Sequence, residues 1–561
     1  MKTKAVLWGV FMALAGVTQA AVTWNADPVD SNLANVANWS GNPAGQEAKF
    51  QGTNSPSAVL SSEFSLKNLF VAHDRNTTGT LELRDGAKLT LGNLFYVGAS
   101  GTGTVNITGG SLSANQGWIA DAASGNAELN LSGGSMNFSD ALIIGTRGTA
   151  VVNISGGALD TKTLTVAGSY ADSSRGTANQ SGGTVTVTDT LRFGTSGSKG
   201  VGTYNLSGGK LVAPTVRYGN TNTTASFRIS GTGEAVISGA VAVPTTLSGG
   251  TLTAGSITNT LTQTGGLLTP GGVGEFGTTT ITGTYLAELT NVARSKPTSQ
   301  VSLYENGTRF FPYEVVDGNT GNFNHTDPSS GKNQWWQVMF SENDMPIESV
   351  KLYNRNLDGS TARRLTDNGC GFHFELYSGT LENPGEMIGK SETYTAETWS
   401  QGKELPLDFA ENGNILRVVR DFPDGYNPAS AELVLSLAEV EIYAGAGIQM
   451  DIAADGSNFD KVLIGDGGSM DITNTYLDIM IDDISAVAPG TEWTLFETSG
   501  NGTLTGDFLS VTLNDAVLGN GWAFADGILS FNGTNDAVPE PGTMVLLALG
   551  LGGLFLMRRK R

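Results

Sequence analysis

Val152-Asn153-Ile154-Ser155-Gly156-Gly157-Ala158-Leu159 is one copy of a pattern that recurs through the first half of the chain. A short alternating run, a Ser/Thr-Gly-Gly turn and a second apolar run follow one another. The turn returns as Thr108-Gly109-Gly110, Ser132-Gly133-Gly134, Ser181-Gly182-Gly183, Ser207-Gly208-Gly209, Ser248-Gly249-Gly250 and Thr264-Gly265-Gly266. Asp85-Gly86 and Ser230-Gly231-Thr232-Gly233 are degenerate copies. From 86 the first glycines fall at 109, 133, 156, 182, 208 and 231, steps of 23, 24, 23, 26, 26 and 23 residues; the last two steps, to 249 and 265, are 18 and 16. A glycine pair supplies the positive φ that a tight turn needs. A third apolar run, such as Ala141-Leu142-Ile143-Ile144 or Leu191-Arg192-Phe193, follows within each unit. Two or three short strands per unit of this length make one coil of a right-handed parallel β-helix, each coil stacking on the next. The leucine-rich repeat shares the period, but its Leu-x-x-Leu-x-Leu-x-x-Asn pattern is absent.

Composition agrees with an all-β chain of several parts. The 561 residues include 76 glycines, with 39% hydrophobic and 15% charged residues. That is too long for one core and too apolar for disorder. A net charge of −21 excludes a basic groove for nucleic acid. One cysteine, Cys370, excludes an intramolecular disulfide framework, and His73, His325 and His373 leave little for a histidine metal site. Polysaccharide cleavage needs clustered carboxylates with a base or metal. Asp140, Asp160 and Asp189 are instead scattered at turn-like places, so no catalytic residue is assigned.

The repeat stops after Gly277-Thr278-Thr279-Thr280-Ile281 and Tyr285-Leu286 without a cap, and alternation resumes at Ile448, Met450 and Ile452. Between them lie β-like runs at 348–353, 372–377, 415–419 and 439–443 with little helical periodicity, which suits a β-sandwich or jelly roll. This stretch reads as a domain inserted into the solenoid.

Its motifs also resemble a family. Asn291-Val292-Ala293, Asp317-Gly318-Asn319, Trp335-Trp336-Gln337-Val338, Tyr353-Asn354-Arg355 and Leu435-Ser436-Leu437-Ala438-Glu439-Val440-Glu441-Ile442-Tyr443 occur in order. They resemble the discoidin-type galactose-binding-like jelly roll, and within it the fucolectin branch. The resemblance implies a sugar site of one His and two Arg, falling on His325, Arg355 and Arg364, with Arg363 as a register alternative. Arg offers a planar fork of donors for vicinal hydroxyls. The resemblance also implies a structural Ca²⁺, held by the carboxylates of Asp317 and Glu439 and the main chain of Glu314, Asn319 and Ala438. The loop from Asn319 to His325 is shorter than in fucolectins, and their adjacent cysteine pair is absent. Trp335 and Trp336 are expected in the core, and His373 in a strand. The repeats themselves resemble the autotransporter-type passenger β-helix, with Thr23-Trp24 and Asn38-Trp39-Ser40 like its N-terminal cap.

The termini carry addresses. Met-Lys-Thr-Lys, an apolar run from Ala5 to Val17 and Thr18-Gln19-Ala20 form a Sec-type signal peptide. At the other end Pro539-Glu540-Pro541, an apolar run from Thr543 to Met557 and a basic end resemble the PEP-CTERM sorting tail of Gram-negative bacteria. That resemblance implies handling by an exosortase, with the C-terminal helix transiently in the inner membrane.

The expected organisation is a signal peptide at 1–20, a parallel β-helix at 21–289, a fucolectin/discoidin-like jelly roll at 290–444, a resumed β-helix with its C-terminal cap at 445–535, and a sorting tail with a transmembrane segment at 538–561. The expected function is non-catalytic: an exported cell-envelope, surface or matrix protein whose β-helix stalk displays a Ca²⁺-dependent glycan-binding module. Its partner would be a fucosylated glycan or an exopolysaccharide. The alternatives are a matrix or adhesion scaffold without sugar binding, and a polysaccharide lyase or hydrolase.

Overall fold

The computed structural model describes residues 21–533 apart from 169–172, 196–198, 308, 342–343, 356–364, 408, 410–411, 427–432, 454, 515 and 520. The expected signal peptide, and the C-terminal tail with its expected membrane segment, lie outside the described residues. Among the described residues no helix is long and apolar enough to cross a membrane. The chain divides into two compact units, Met1–Thr203 with Tyr218–Thr224, and Tyr204–Arg217 with Ala225–Arg561.

The first unit is a parallel β-solenoid. Thr78–Leu83, Thr102–Ile107, Asn126–Leu131, Thr149–Ile154 and the start of Arg175–Phe193 stack in register, residue on equivalent residue. Alternation decides which side chains enter the core. Leu81, Val105, Leu129, Val152 and Ala178 form one fully buried column. On the opposite face Asn130 donates to Asn106 (2.9 Å), Asn153 to Asn130 (2.8 Å) and Asn179 to Asn153 (2.9 Å), an amide ladder that ties coil to coil. Trp24 and Trp39 close the N-terminal end edge to face, 5.1 Å apart, both buried.

The turn glycines behave as their spacing requires. The second glycine of each pair has positive φ, +70° at Gly110, +71° at Gly134 and +72° at Gly157. A Cβ on Gly134 would also collide with the Gly110 carbonyl below it.

In the second unit the coil continues across the insert. Leu268 lies beside Ile448, Thr278–Ile281 beside Lys461–Ile464, and Thr284–Leu286 beside Ser469–Asp471. Tyr476–Ile479 then stacks on Ser510–Leu513. An antiparallel sheet of Thr491–Thr494, Ile528–Phe531 and Trp522–Ala525 follows. A buried acidic pair clamps the seam. Asp460 accepts main-chain N–H groups of Gly277 (2.8 Å) and Asp451 (3.1 Å), and Asp451 accepts that of Gly274 (2.8 Å). Both carboxylates are spent on backbone, which is architecture and not the open acid–base pair of a glycosidase.

The insert is a sandwich of two antiparallel sheets. One orders Thr290–Asn291, Leu437–Ala444, Ile347–Asn354 and Glu404–Pro406; the other orders Thr298–Gln300, Trp335–Met339, Ile415–Asp421, Gly371–Tyr377 and Met387–Lys390. Their inner faces meet in one core that includes Val350, Leu352, Val440, Trp336, Phe374 and Val418. Each fully buried side chain of this size contributes about 1.5–3 kcal/mol. The insert's first and last strands pair, Asn291 with Tyr443, so both ends leave at one place. Trp335 departs from expectation. It is half-buried on the outer face, with the Arg417 guanidinium 4.6 Å over its ring, because alternation sends only Trp336 inward.

Two tests follow from this packing. Gly45 has φ +69° but nothing near its Cβ position. Gly45→Ala should therefore cost only left-handed strain, about 1–2 kcal/mol, and Gly134→Ala distinctly more, compared by urea unfolding. Burial raises the Asp460 carboxyl to about 7, with the Asp451 charge adding to it. An acid whose folded pKa is raised stabilises at low pH and loses that contribution as pH rises through the folded value. Thermal stability should fall between about pH 4 and 7 and level off above that, and Asp460→Asn should flatten that slope.

Candidate functional site

Acidic groups gather where the 3₁₀ turn Pro312–Val315, the Asp317-Gly318 turn and the strand Leu437–Ala444 meet. Glu439 is 1% exposed. One of its oxygens accepts the Gly318 N–H at 3.1 Å, and the other is buried with no hydrogen-bond partner. Glu314 also buries an unpartnered oxygen. Asp317 accepts from the Asn319 N–H (2.8 Å) and from Asn322 Nδ2 (2.6 Å), and Asn322 Oδ1 is buried without a partner. Burial raises Glu439 to about 7, and the Asp317 and Glu441 charges push the same way. Burial and Asp317 likewise raise Glu314. The Arg294 guanidinium lies against Gly318, where a Cβ would come within 2.8 Å of it.

Among the described residues no three His, Cys, Asp or Glu side chains form a metal cage by themselves. An oxygen-seeking ion in this corner would draw on main-chain carbonyls and amide oxygens as well as carboxylates. Ala438 is buried and Asn319 exposed, and either could contribute only through its carbonyl or, for Asn319, its amide. Asn322 was not foreseen, because its place in the shortened loop has no counterpart in the motif.

The same loop runs on to His325, which is 3% exposed. His325 Nδ1 lies 2.7 Å from the Thr326 carbonyl. A carbonyl only accepts, so Nδ1 carries a proton and Nε2 is the acceptor of the neutral ring. The His325 ring packs on Tyr304 (4.4 Å) and Phe310 (5.8 Å), Phe310 stacks on Phe323 (4.9 Å), and the Arg355 guanidinium lies 4.0 Å over Phe323. His325 and Arg355 therefore border one aromatic cluster. Arg364, with Arg363, lies outside the described residues. Tyr304, Phe310 and Phe323 were not singled out from sequence, although three aromatics in a polar loop were the available signal.

A second polar cluster was missed altogether. His373, in the strand Gly371–Tyr377, contacts Asp421 (2.8 Å) through Nδ1 and Glu375 (3.2 Å) through Nε2. Thr393 adds a hydroxyl to Asp421, and Arg417 reaches Gln337 and Tyr377. Burial alone would lower the His373 pKa, but the hydrogen bonds to Asp421 and Glu375 outweigh it and raise it. The hydrogen bond from His373 lowers Glu375, and on Asp421 it outweighs burial. Replacing Asp421→Asn should lower the His373 pKa, followed by NMR titration of its ring protons; an unchanged midpoint would contradict the pairing.

Comparison with known proteins covers two parts of the chain. The PEP-CTERM protein-sorting motif matches residues 537–561. That motif marks an exported protein of the Gram-negative cell envelope. The lectin domain of lectinolysin, solved with Lewis b antigen, is 27% identical over 27% of this chain and 94% of its own, with a TM-score of 0.21. A Streptococcus pneumoniae fucose-binding module is 26% identical over 28% of this chain and 95% of its own, TM-score 0.21. A striped bass (Morone saxatilis) serum fucolectin is 23% identical over 28% of this chain and 49% of its own, TM-score 0.20. No curated protein matches the chain.

Proposed function

We propose that the insert is a saccharide-binding module, ordered by Ca²⁺ and displayed by the solenoid of an exported protein. The observation that carries this reading is the continuous loop from Asp317 to Thr326. At one end it lines a corner of buried, unpartnered oxygens on Glu314, Asn322 and Glu439; at the other it holds His325 in the aromatic cluster that Arg355 borders.

A divalent cation in the corner would offset the mutual repulsion of Glu314, Asp317 and Glu439. Uncompensated buried carboxylates cost several kcal/mol each, so the fit to a cation is chemical as well as spatial. With the loop held, the Nδ1–H bond to Thr326 fixes the His325 ring and makes Nε2 the acceptor for a sugar hydroxyl. Arg355, its guanidinium over the Phe323 ring, would offer N–H groups to vicinal oxygens. Arg364 is proposed as the third contact. Fucosylated glycans and exopolysaccharide are the two target classes.

Glycan-array binding of the full chain, with and without chelator, tests the proposal. Binding should fall at least about tenfold on chelation, about 1.4 kcal/mol, and Glu439→Gln should lose the chelator effect. Arg355→Ala should weaken binding comparably with circular dichroism unchanged. An array with no bound glycan would leave the scaffold reading in its place.

A further inference from the structure

Within the second unit a cleft of about 490 Å³ opens where the insert meets the solenoid; its Arg294 lies against Gly318, but His325, Phe323 and Arg355 do not line it. Its floor is a column of Ser/Thr-Gly-Gly turns, including Gly250 and Gly266. A Cβ on Gly250 would collide with Gly233, and one on Gly266 would come within 2.7 Å of Gly249, so packing keeps these turns bare. The surface there is peptide backbone, which a flat ligand can approach closely.

One wall is solenoid, where Gln449 and Asp478 are cross-strand partners. Gln449 lines the cleft, and its Oε1 is buried behind that wall without a hydrogen-bond partner. The other wall is insert: Arg294, Lys296 and Asp344, all exposed at its edge. The walls are held together. Thr290 donates to the Thr264 carbonyl at 3.0 Å, and Tyr476 of the solenoid belongs to the insert's own core cluster.

The lining selects a ligand class. Arg294 and Lys296 are matched by Asp344 and Asp478, so the cleft favours neither a phosphate nor a cation. Phe340 and Tyr476 are 1% and 6% exposed, leaving no open ring face for a planar aromatic or a lipid chain. Amides, the hydroxyls of Ser248, Thr264, Thr290 and Ser341, and bare peptide groups remain beside a few aliphatic side chains, offering donors and acceptors together, as a polyhydroxylated ligand requires. The volume lies within the roughly 300–1,000 Å³ of small-molecule sites. We infer that this cleft is a second saccharide site, taking a neutral oligosaccharide segment, separate from the His325–Arg355 end. Two sites on one chain would grip a long glycan at two points and raise its avidity.

Calorimetric titration of the full chain with cellotriose, laminaritriose and mannotriose, and with trigalacturonate as the anionic counterpart, tests this. An Arg355→Ala chain should still bind at least one neutral trisaccharide. Adding Gln449→Leu should weaken that residual binding about tenfold or more. Lys296→Ala, at an exposed position, should weaken it too and serves if the first variant unfolds. An Arg355→Ala chain that binds no trisaccharide, residual binding indifferent to both substitutions, or a preference for trigalacturonate would overturn the inference. Wild-type binding abolished by Arg355→Ala alone would overturn the cleft and uphold the loop-end site. Binding that ignores Arg355→Ala but is lost in Gln449→Leu would do the reverse.

Discussion

A parallel solenoid tolerates an insertion only if the chain returns to the rung it left. Leu268 must find Ile448 as its neighbour, and it does, because the insert closes on itself. Asn291 pairs with Tyr443, and its side-chain oxygen accepts the N–H groups of both Ala293 and Ile442. With both ends of the insert in one antiparallel pair, the next coil forms in register as though nothing intervened. The rest depends on this closure: the sandwich core, the stacking of Tyr476 against it, and the cleft beside the junction.

Periodic features were legible in the sequence because they are local. A glycine that must take positive φ, such as Gly134 or Gly157, can be recognised from its spacing alone, and so can the alternation that buries Leu81 and Val105 in one column. The strands of the insert followed from their apolar runs for the same reason. Trp335 shows where that reasoning ends. Two adjacent tryptophans cannot both point inward from one strand, and alternation settles which does only once the register is known.

Side-chain networks were not legible, because they join residues far apart along the chain. His373 and Asp421 are 48 residues apart, and Gly318 and Glu439 are 121. Neither pair has a local signature. Asn322 and the aromatic cluster of Tyr304, Phe310 and Phe323 are likewise products of how the loop from Asp317 to Thr326 folds back. Motif resemblance could point to His325 and Arg355, but not to the ring stack that lies between them.

The two acidic clusters of the insert differ in a way that bears on function. Around His373 the protein answers its own carboxylates: Asp421 receives the imidazole and a threonine hydroxyl, Glu375 the imidazole and the Tyr377 hydroxyl, and both are held below their ordinary range. At the Asp317 corner Asp317 is answered by Asn319 and Asn322, but Glu314 and Glu439 each keep a buried oxygen without a partner. Glu439 is more deeply buried than Asp421, yet one of its oxygens has no partner and its pKa is raised. A fold that buries acid for stability alone would pair it, since an unpaired buried charge is destabilising. Leaving Glu314, Asn322 and Glu439 with open oxygens around a single turn is costly in the absence of a ligand. That contrast within one domain is the physical reason to read the His373 cluster as architecture and to propose a site at the Asp317 corner.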